Sequence, residues 1–358
     1  MKFRILIILY FSNIAVFGQT AKYSNDFMHI GIGAKWMGMG NTGTAGSLDV
    51  SAAYWNPAGL LGLQNNYQVE ALHASYFAGM ASYNHIGLGN KSDSSTALAF
   101  SILRFGVDDI PNTTDLIDEN GNVDYSRLKS FSVADYAFLF SLAKVSPVPN
   151  LWIGGNAKLI YRNVGKFAKA WGFGIDVSAK YFSGKWNFGA TLKDATSTFN
   201  FWSFNADELE ITIGDSTFNT APGNNLEVTL PELSLGVNRL IHISNNYTIC
   251  PEINIELTFD GERNTIISNR WVSCDPHLGI EVAYKNLISI RAGFNNLQWE
   301  SNYSDHKELI LQPSIGMGIR FKAVSLDYAM TNAGSVGFSR YSNIFSISYR
   351  FDSFTRHK

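Results

Sequence analysis

Over most of its length the chain repeats with a period of two. Between Trp171 and Tyr181 the odd positions are Trp171, Phe173, Ile175, Val177, Ala179 and Tyr181, whereas the even ones are Gly172, Gly174, Asp176, Ser178 and Lys180. A strand with this pattern has one apolar face and one wet face. Ile253, Ile255, Leu257 and Phe259 alternate with Asn254, Glu256, Thr258 and Asp260 in the same way. So do Ile315, Met317, Ile319 and Phe321 with Gly316, Gly318 and Arg320, and Phe345, Ile347, Tyr349 and Phe351 with Ser346, Ser348 and Arg350. Candidate strands fall near 67–75, 79–88, 95–104, 133–144, 150–162, 171–181, 185–193, 230–240, 247–259, 273–284, 286–295, 309–321, 323–330 and 342–351, which makes fourteen. Many are 9 to 13 residues long. A tilted membrane strand needs about 9 to 11 residues, whereas soluble sandwiches use about 5 or 6.

The connections alternate as well. Those at 89–94, 145–149, 182–184, 241–246, 284–286 and 321–323 are short, and those at 105–132, 163–170, 194–229, 260–272, 296–308 and 331–341 are longer. Only the first hairpin, at Tyr76-Phe77-Ala78, is tight on the long-loop side. An even number of antiparallel strands joined in this way predicts an all-β transmembrane β-barrel of the outer membrane, with both termini periplasmic. Hydrocarbon offers no partner for backbone N–H and C=O groups, so such a sheet must close on itself. The polar faces carry Lys158, Arg162, Asp176, Lys180, Lys193, Glu252, Glu256, Asp260, Glu281, Lys285, Arg291, Arg320, Asp327 and Arg350, both signs that ion pairs and water in a lumen require. A large periplasmic sandwich or soluble barrel is the alternative, with these residues on its outer surface.

Composition narrows the choice. The 358 residues carry 28 Lys+Arg and 30 Asp+Glu, a formal charge of −2, without the basic excess of a nucleic-acid binder. Charged residues are 16% and aromatic ones 14%, where an ordinary soluble domain has about 25% charged. Beyond the first 20 residues no apolar run approaches the length of a spanning helix. At the start, Lys2 and Arg4 precede an apolar stretch that ends at Val16-Phe17-Gly18, which predicts a signal peptide over 1–18. Residues 19–66 break the period: Phe27 to Gly40 is crowded with glycine, and Asp49 to Leu60 holds a helical turn stopped by Pro57. This segment is expected to plug the barrel or cover its periplasmic mouth, leaving 67–351 as the barrel and 352–358 as a tail. If the loop near 265 joins their strands, Cys250 faces a residue near 280, and a disulfide to Cys274 would need another register.

At the irregular segment the sequence meets a resemblance. Gly33-Ala34-Lys35-Trp36-Met37-Gly38-Met39-Gly40 followed by Trp55-Asn56-Pro57-Ala58-Gly59-Leu60 resembles the opening signature of the PorV/PorQ family of Bacteroidota, which is itself similar to the FadL-type long-chain fatty-acid transporters. The segments Phe105 to Asn112, Lys193 to Asn200, Thr258 to Asn264 and Leu326 to Met330 extend the likeness to the PorV-like branch over the mature chain. The resemblance implies an outer-membrane barrel and, beyond that, a part in type IX secretion. One member of that family binds the C-terminal signal domain of exported proteins at the translocon and delivers them to a surface sortase complex.

Enzyme chemistry finds little support. His29, His73, His85, His242, His277, His306 and His357 are scattered, and no HExxH or Gly-x-Ser-x-Gly element occurs. Asp108, Asp109, Asp115, Asp118, Glu119 and Asp124 crowd a polar loop, where an acidic solvated surface accounts for them. Asp118-Glu119-Asn120-Gly121-Asn122-Val123-Asp124 spaces oxygen ligands like a calcium loop. Its glycine stands at position 4 where the motif needs 6, and position 12 is Lys129 in place of Glu, so an Asx-rich turn is the better account. No catalytic, cofactor-binding or metal-binding residue is assigned.

Two functions remain. One is a non-enzymatic docking component that meets type IX translocon or sortase proteins and exported C-terminal domains through loops 105–132 and 194–229, which carry Phe131, Phe199, Phe201, Trp202 and Phe204. The other is a FadL-like channel for a small hydrophobic molecule, with those aromatics folded back as a lid. An apolar pocket beside a displaced strand would favour the channel, and a polar, ion-paired, sealed lumen the docking scaffold.

Overall fold

Each alternating segment forms a strand in the structure, a computed structural model that describes residues 22–113, 116, 122–213, 216–219, 222–301, 307–332 and 341–352. The expected leader and residues 353–358 of the tail lie outside the described residues. The strands are β1 (Tyr67–Tyr76), β2 (Ala81–Lys91), β3 (Thr96–Asn112), β4 (Lys129–Val145), β5 (Leu151–Val164), β6 (Ala168–Ser183), β7 (Trp186–Lys193, resumed at Thr198–Phe204) and β8 (Leu226–Thr229, resumed at Glu232–Arg239). They continue with β9 (Tyr247–Thr258), β10 (Ser273–Tyr284), β11 (Ile288–Ser301), β12 (Lys307–Phe321), β13 (Val324–Asn332) and β14 (Tyr341–Phe351). Every strand pairs antiparallel with its neighbours in sequence, and β14 returns to β1 with Tyr67 opposite Phe351 and Ser75 opposite Asn343. The result is a closed fourteen-stranded barrel with no sheet edge.

Alternation predicts the facing correctly. On β6, Phe173 and Ile175 are 59% and 46% exposed on the outer surface, while Asp176 and Lys180 point into the lumen at 5% and 0%. The outward aromatics gather at the two rims, as amphipathic rings do at membrane interfaces. Tyr181, Trp186, Tyr247, Tyr284 and Tyr349 stand at the short-turn end, and Trp171 stacks toward Tyr161 at the other, with ring centroids 4.6 Å apart. Among the described residues no helix is long and apolar enough to cross a membrane.

Several expected loops prove to be strand. β3 and β4 run on past a bulge at Val107/Ile110, where Asp109 takes a φ of 58°, so Phe131 lies on β4 opposite Ile110. The connection expected at 163–170 shrinks to Gly165-Lys166-Phe167. Within 194–229, β7 resumes after a break at 194–197 and β8 begins at Leu226, so Phe199, Phe201, Trp202 and Phe204 belong to the wall. Lys285 sits in the turn after β10 with a φ of 50° and leaves the lumen set. Cys250 pairs across from Glu281 and Cys274 across from Leu257, and both thiols are free.

The core lies inside the barrel. Residues 22–66 form short helices, at Asp26–His29, α1 (Ala34–Met37), α2 (Ala52–Trp55) and Pro57–Gly62, joined by irregular chain. Ile32, Trp36 and Met39 of this plug pack against Leu72, Leu103, Leu139, Ile160 and Ile344 of the wall.

Candidate functional site

An irregular segment can be buried only if its backbone polar groups find partners, and here the wall supplies them. Glu252 on β9 accepts from the backbone N–H of Ala45 at 3.0 Å and of Gly46 at 3.1 Å. Lys180 on β6 donates to the Ser47 carbonyl, Asn156 on β5 to that of Ala53 at 2.9 Å, and Ser314 on β12 accepts from Gly40 N–H at 2.9 Å. Asn56 joins plug to wall, donating to the carbonyls of Thr44 at 2.9 Å and Ala179 at 3.0 Å. Inside the plug, Trp55 Nε1 donates to the Ile32 carbonyl at 3.0 Å and Trp36 Nε1 to Ser51 Oγ at 2.8 Å. Gly279 and Gly293, inward positions on β10 and β11, flank Met39, and a Cβ on either would collide with the Met39 backbone. Only glycine lets the two backbones approach this closely.

Other charges of the wall pair with one another. Lys158 meets Asp176 at 2.8 Å and Asp194 at 2.5 Å, Arg162 meets Asp135 at 3.0 Å and Glu227 at 3.3 Å, and Arg291 meets Glu281 and Asp327, each at 2.6 Å. Pairing is what makes such burial tolerable, since one charge left alone in the interior is strongly destabilising.

Among the described residues two sizeable cavities lie one on each side of the plug. The cavity at the short-turn end has about 300 Å³ and is lined by Lys35, Glu281, Arg291, Asp327 and Arg350 among others. The one at the long-loop end has about 470 Å³. One wall is apolar, from Tyr76, Phe77 and Phe105 with Ile30 and Met37 of the plug, and the opposite wall is polar. α1 is the partition: Met37 lines the outer cavity, while Lys35 and Trp36 line the inner one.

The polar wall brings together groups that lie far apart in sequence. His29 of the plug lies 3.0 Å from Glu232 on β8, and Lys193 on β7 lies 2.8 Å from Glu232 and 3.5 Å from Glu256 on β9. His277 on β10 lies 3.3 Å from Asp275 and 3.9 Å from Glu256. At the rim Arg263 grips Asp260 at 2.6 Å. Burial alone would raise the Asp260 carboxyl, but the Arg263 hydrogen bonds and charge outweigh it and hold the group below its usual range. Sequence spacing treats these histidines as unrelated. The hairpin register that sets Cys250 against Glu281 also sets Glu256 against Asp275 and Asn254 against His277, and that register is the signal from which the cluster could be found.

The other candidate chemistry stays apart. His73 is at the surface against Asn84, His242 is exposed, and His85 is buried on β2. His306 and His357 lie outside the described residues, as do Asp115 and residues 118–121 of the calcium-like loop. Asp124 accepts from Ser126 N–H at 3.0 Å, the hydrogen bond of an Asx turn.

No protein-family model and no curated protein matches the chain in sequence. Solved structures do resemble it. The toluene transporter TodX of Pseudomonas putida superposes with a TM-score of 0.57 at 13% identity, over 90% of this chain and 98% of that one. The monoaromatic hydrocarbon channel CymD gives 0.57 at 13%, over 90% and 98%. The toluene transporter TbuX of Ralstonia pickettii gives 0.54 at 12%, again over 90% and 98%. The likeness is one of fold alone, a closed fourteen-stranded β-barrel.

Proposed function

We propose that the protein is an outer-membrane channel for a small molecule with an apolar body, which enters from the long-loop end. The outer cavity carries this reading. Its volume of about 470 Å³ lies within the ordinary range of ligand pockets, roughly 300–1,000 Å³, and Tyr76, Phe77 and Phe105 give it a side on which an aromatic or aliphatic body can rest. The similar solved structures are named as transporters or channels for toluene and other monoaromatic hydrocarbons, which supports the same direction. In this reading the long loops face outward, the termini are periplasmic, and passage requires α1 to move. Isothermal titration of toluene into purified protein tests it. Saturable binding that Phe105→Ala weakens about tenfold, and that Phe321→Ala on the outer surface leaves alone, is the expected result; a wild-type protein with no saturable binding removes the channel reading.

A second reading is a docking component of type IX secretion in the PorV-like branch. It is supported by the Gly33 to Gly40 and Trp55 to Leu60 signatures and by a plug braced to the wall on several sides, an arrangement suited to a scaffold. Of the two loops expected to dock, the parts outside the wall strands are the connections at 113–128 and 205–225. Affinity isolation from native membranes separates the two readings: trimming residues 206–222 should lower recovery of secretion-system proteins and exported C-terminal domains if the scaffold reading holds, and should leave toluene binding unchanged.

A further inference from the structure

The polar wall of the outer cavity uses its two carboxylates in a divided way. Oε1 of Glu232 and Oε1 of Glu256 face Lys193, at 2.8 Å and 3.5 Å. The other oxygens face histidines: His29 Nδ1 lies 3.0 Å from Glu232 Oε2, and His277 Nε2 lies 3.9 Å from Glu256 Oε2. Ligand atoms of His29, Glu232 and Glu256 all fall within 4.8 Å of one another.

His277 supplies an independent observation. It is 4% exposed and lines the cavity, and its Nδ1 lies 3.1 Å from the Asn41 carbonyl. A carbonyl can only accept, so Nδ1 carries a proton, and what stands on Nε2 is set by its other neighbours. That Nε2 is buried without a hydrogen-bond partner among the described residues, and it faces the oxygens of Asp275 at 3.3 Å and Glu256 at 3.9 Å. Two carboxylates facing Nε2 call for a cation at that position, a proton or a metal ion.

We propose that His29, Glu232, Glu256 and His277 form a binding site for a divalent transition-metal ion of the zinc class. Two imidazoles and two carboxylates are a ligand set of that class. The surroundings are those of a metal site too, because ligating imidazoles usually donate their second N–H to a carbonyl and ligating carboxylates are themselves hydrogen-bonded. Here the Asn41 carbonyl and the Lys193 ammonium fill those roles. Lys193 approaches from the Oε1 side and leaves the Oε2 side to the ion. Three ligands come from consecutive strands β8, β9 and β10 and the fourth from the plug, so the ion ties residues 26–29 to the wall.

The test uses full-length mature protein, freed of any affinity tag and stripped with a chelator, in detergent. Calorimetry with Zn2+ and visible absorption with Co2+ read the site, and heat-modifiable gel mobility reads the fold. The expected result is one equivalent of Zn2+ per chain and the strong visible bands of tetrahedral Co2+. His277→Ala and Glu256→Gln should each weaken Zn2+ binding at least tenfold, and His73→Ala should not. A folded wild-type barrel that takes up no stoichiometric metal overturns the proposal, as does uptake that neither His277→Ala nor Glu256→Gln alters; the position facing His277 is then a proton's. Neither readout depends on what the channel carries, so the metal site and the channel reading can fail separately.

Discussion

At the short-turn end, Arg291 reaches Glu281 and Asp327 at 2.6 Å each, and Lys35 of the plug adds to Glu281 at 3.7 Å. At the long-loop end, His277 Nε2 and Thr258 Oγ1 are buried against the outer cavity with no hydrogen-bond partner among the described residues. The two clusters sit on neighbouring strands of one wall, with α1 between their cavities. The Arg291 cluster closes its charges on one another, although Glu70 Oε1 and Arg350 Nε of the same cavity are buried without a hydrogen-bond partner among the described residues. What distinguishes the outer cluster is a buried imidazole nitrogen, a group able to hold an ion, beside the void.

The largest expected effect breaks the closed cluster. Arg291→Ala leaves two carboxylates facing each other, and breaking a buried pair costs about 3–5 kcal/mol; His277→Ala removes one hydrogen bond, worth about 1 kcal/mol. Urea unfolding of the two variants in detergent measures the gap, and equal destabilisation would erase the contrast between the clusters. Next come the two faces of β6. Ile175→Arg should cost about 2–4 kcal/mol near the bilayer midplane, whereas Asp176→Asn should cost less, because Lys158 keeps Asp194 at 2.5 Å. The reverse order would mean that the strand faces are interchanged. A smaller effect attacks the partition itself. Gly293→Ala drives a methyl into the Met39 backbone, an overpacking worth about 1–3 kcal/mol, and should shift the plug and raise single-channel conductance in planar bilayers. The smallest concerns the Asp260–Arg263 rim pair. The folded Asp260 pKa is depressed, so the contribution of the pair is complete above the unfolded value of about 4 and disappears as the pH falls through the folded value. Hydrogen-exchange protection factors in 259–272, corrected for the intrinsic rate, should therefore fall only in acid.

Fourteen strands and their facing are legible in the sequence because lipid on one side and a wet lumen on the other impose a strict period of two. Legibility fails where the backbone breaks that period. At Asp109 and at Asp194 to Ser197 extra residues shift the phase, so the outer ends of β3, β4, β7 and β8 read as loop and their aromatics as docking surface. The turn that stops at Pro57 is visible in advance, as α2 followed by Asn56 and Pro57. The partners of the plug are not visible, since nothing local in Gly38-Met39-Gly40 announces Gly279 or Gly293. The outer cluster fails for the same reason, because Glu232, Glu256 and His277 come together only once the strand registers are applied, and His29 only once the plug is seated.

The plug also bears on the order in which the chain can assemble. Its hydrogen-bond partners stand on β5, β6, β9, β12 and β14, spread around the circumference, so no small set of strands offers it a finished seat. The lumen side chains that hold it would also bar its way through a ring already shut. A sheet that curls around residues 22–66 before its β1–β14 seam shuts seats the plug without threading it through a closed ring. That seam joins the two ends of the barrel sequence, the pairing with the highest closure entropy. The same segment that divides the lumen in the finished protein thus links the strands that have to close around it.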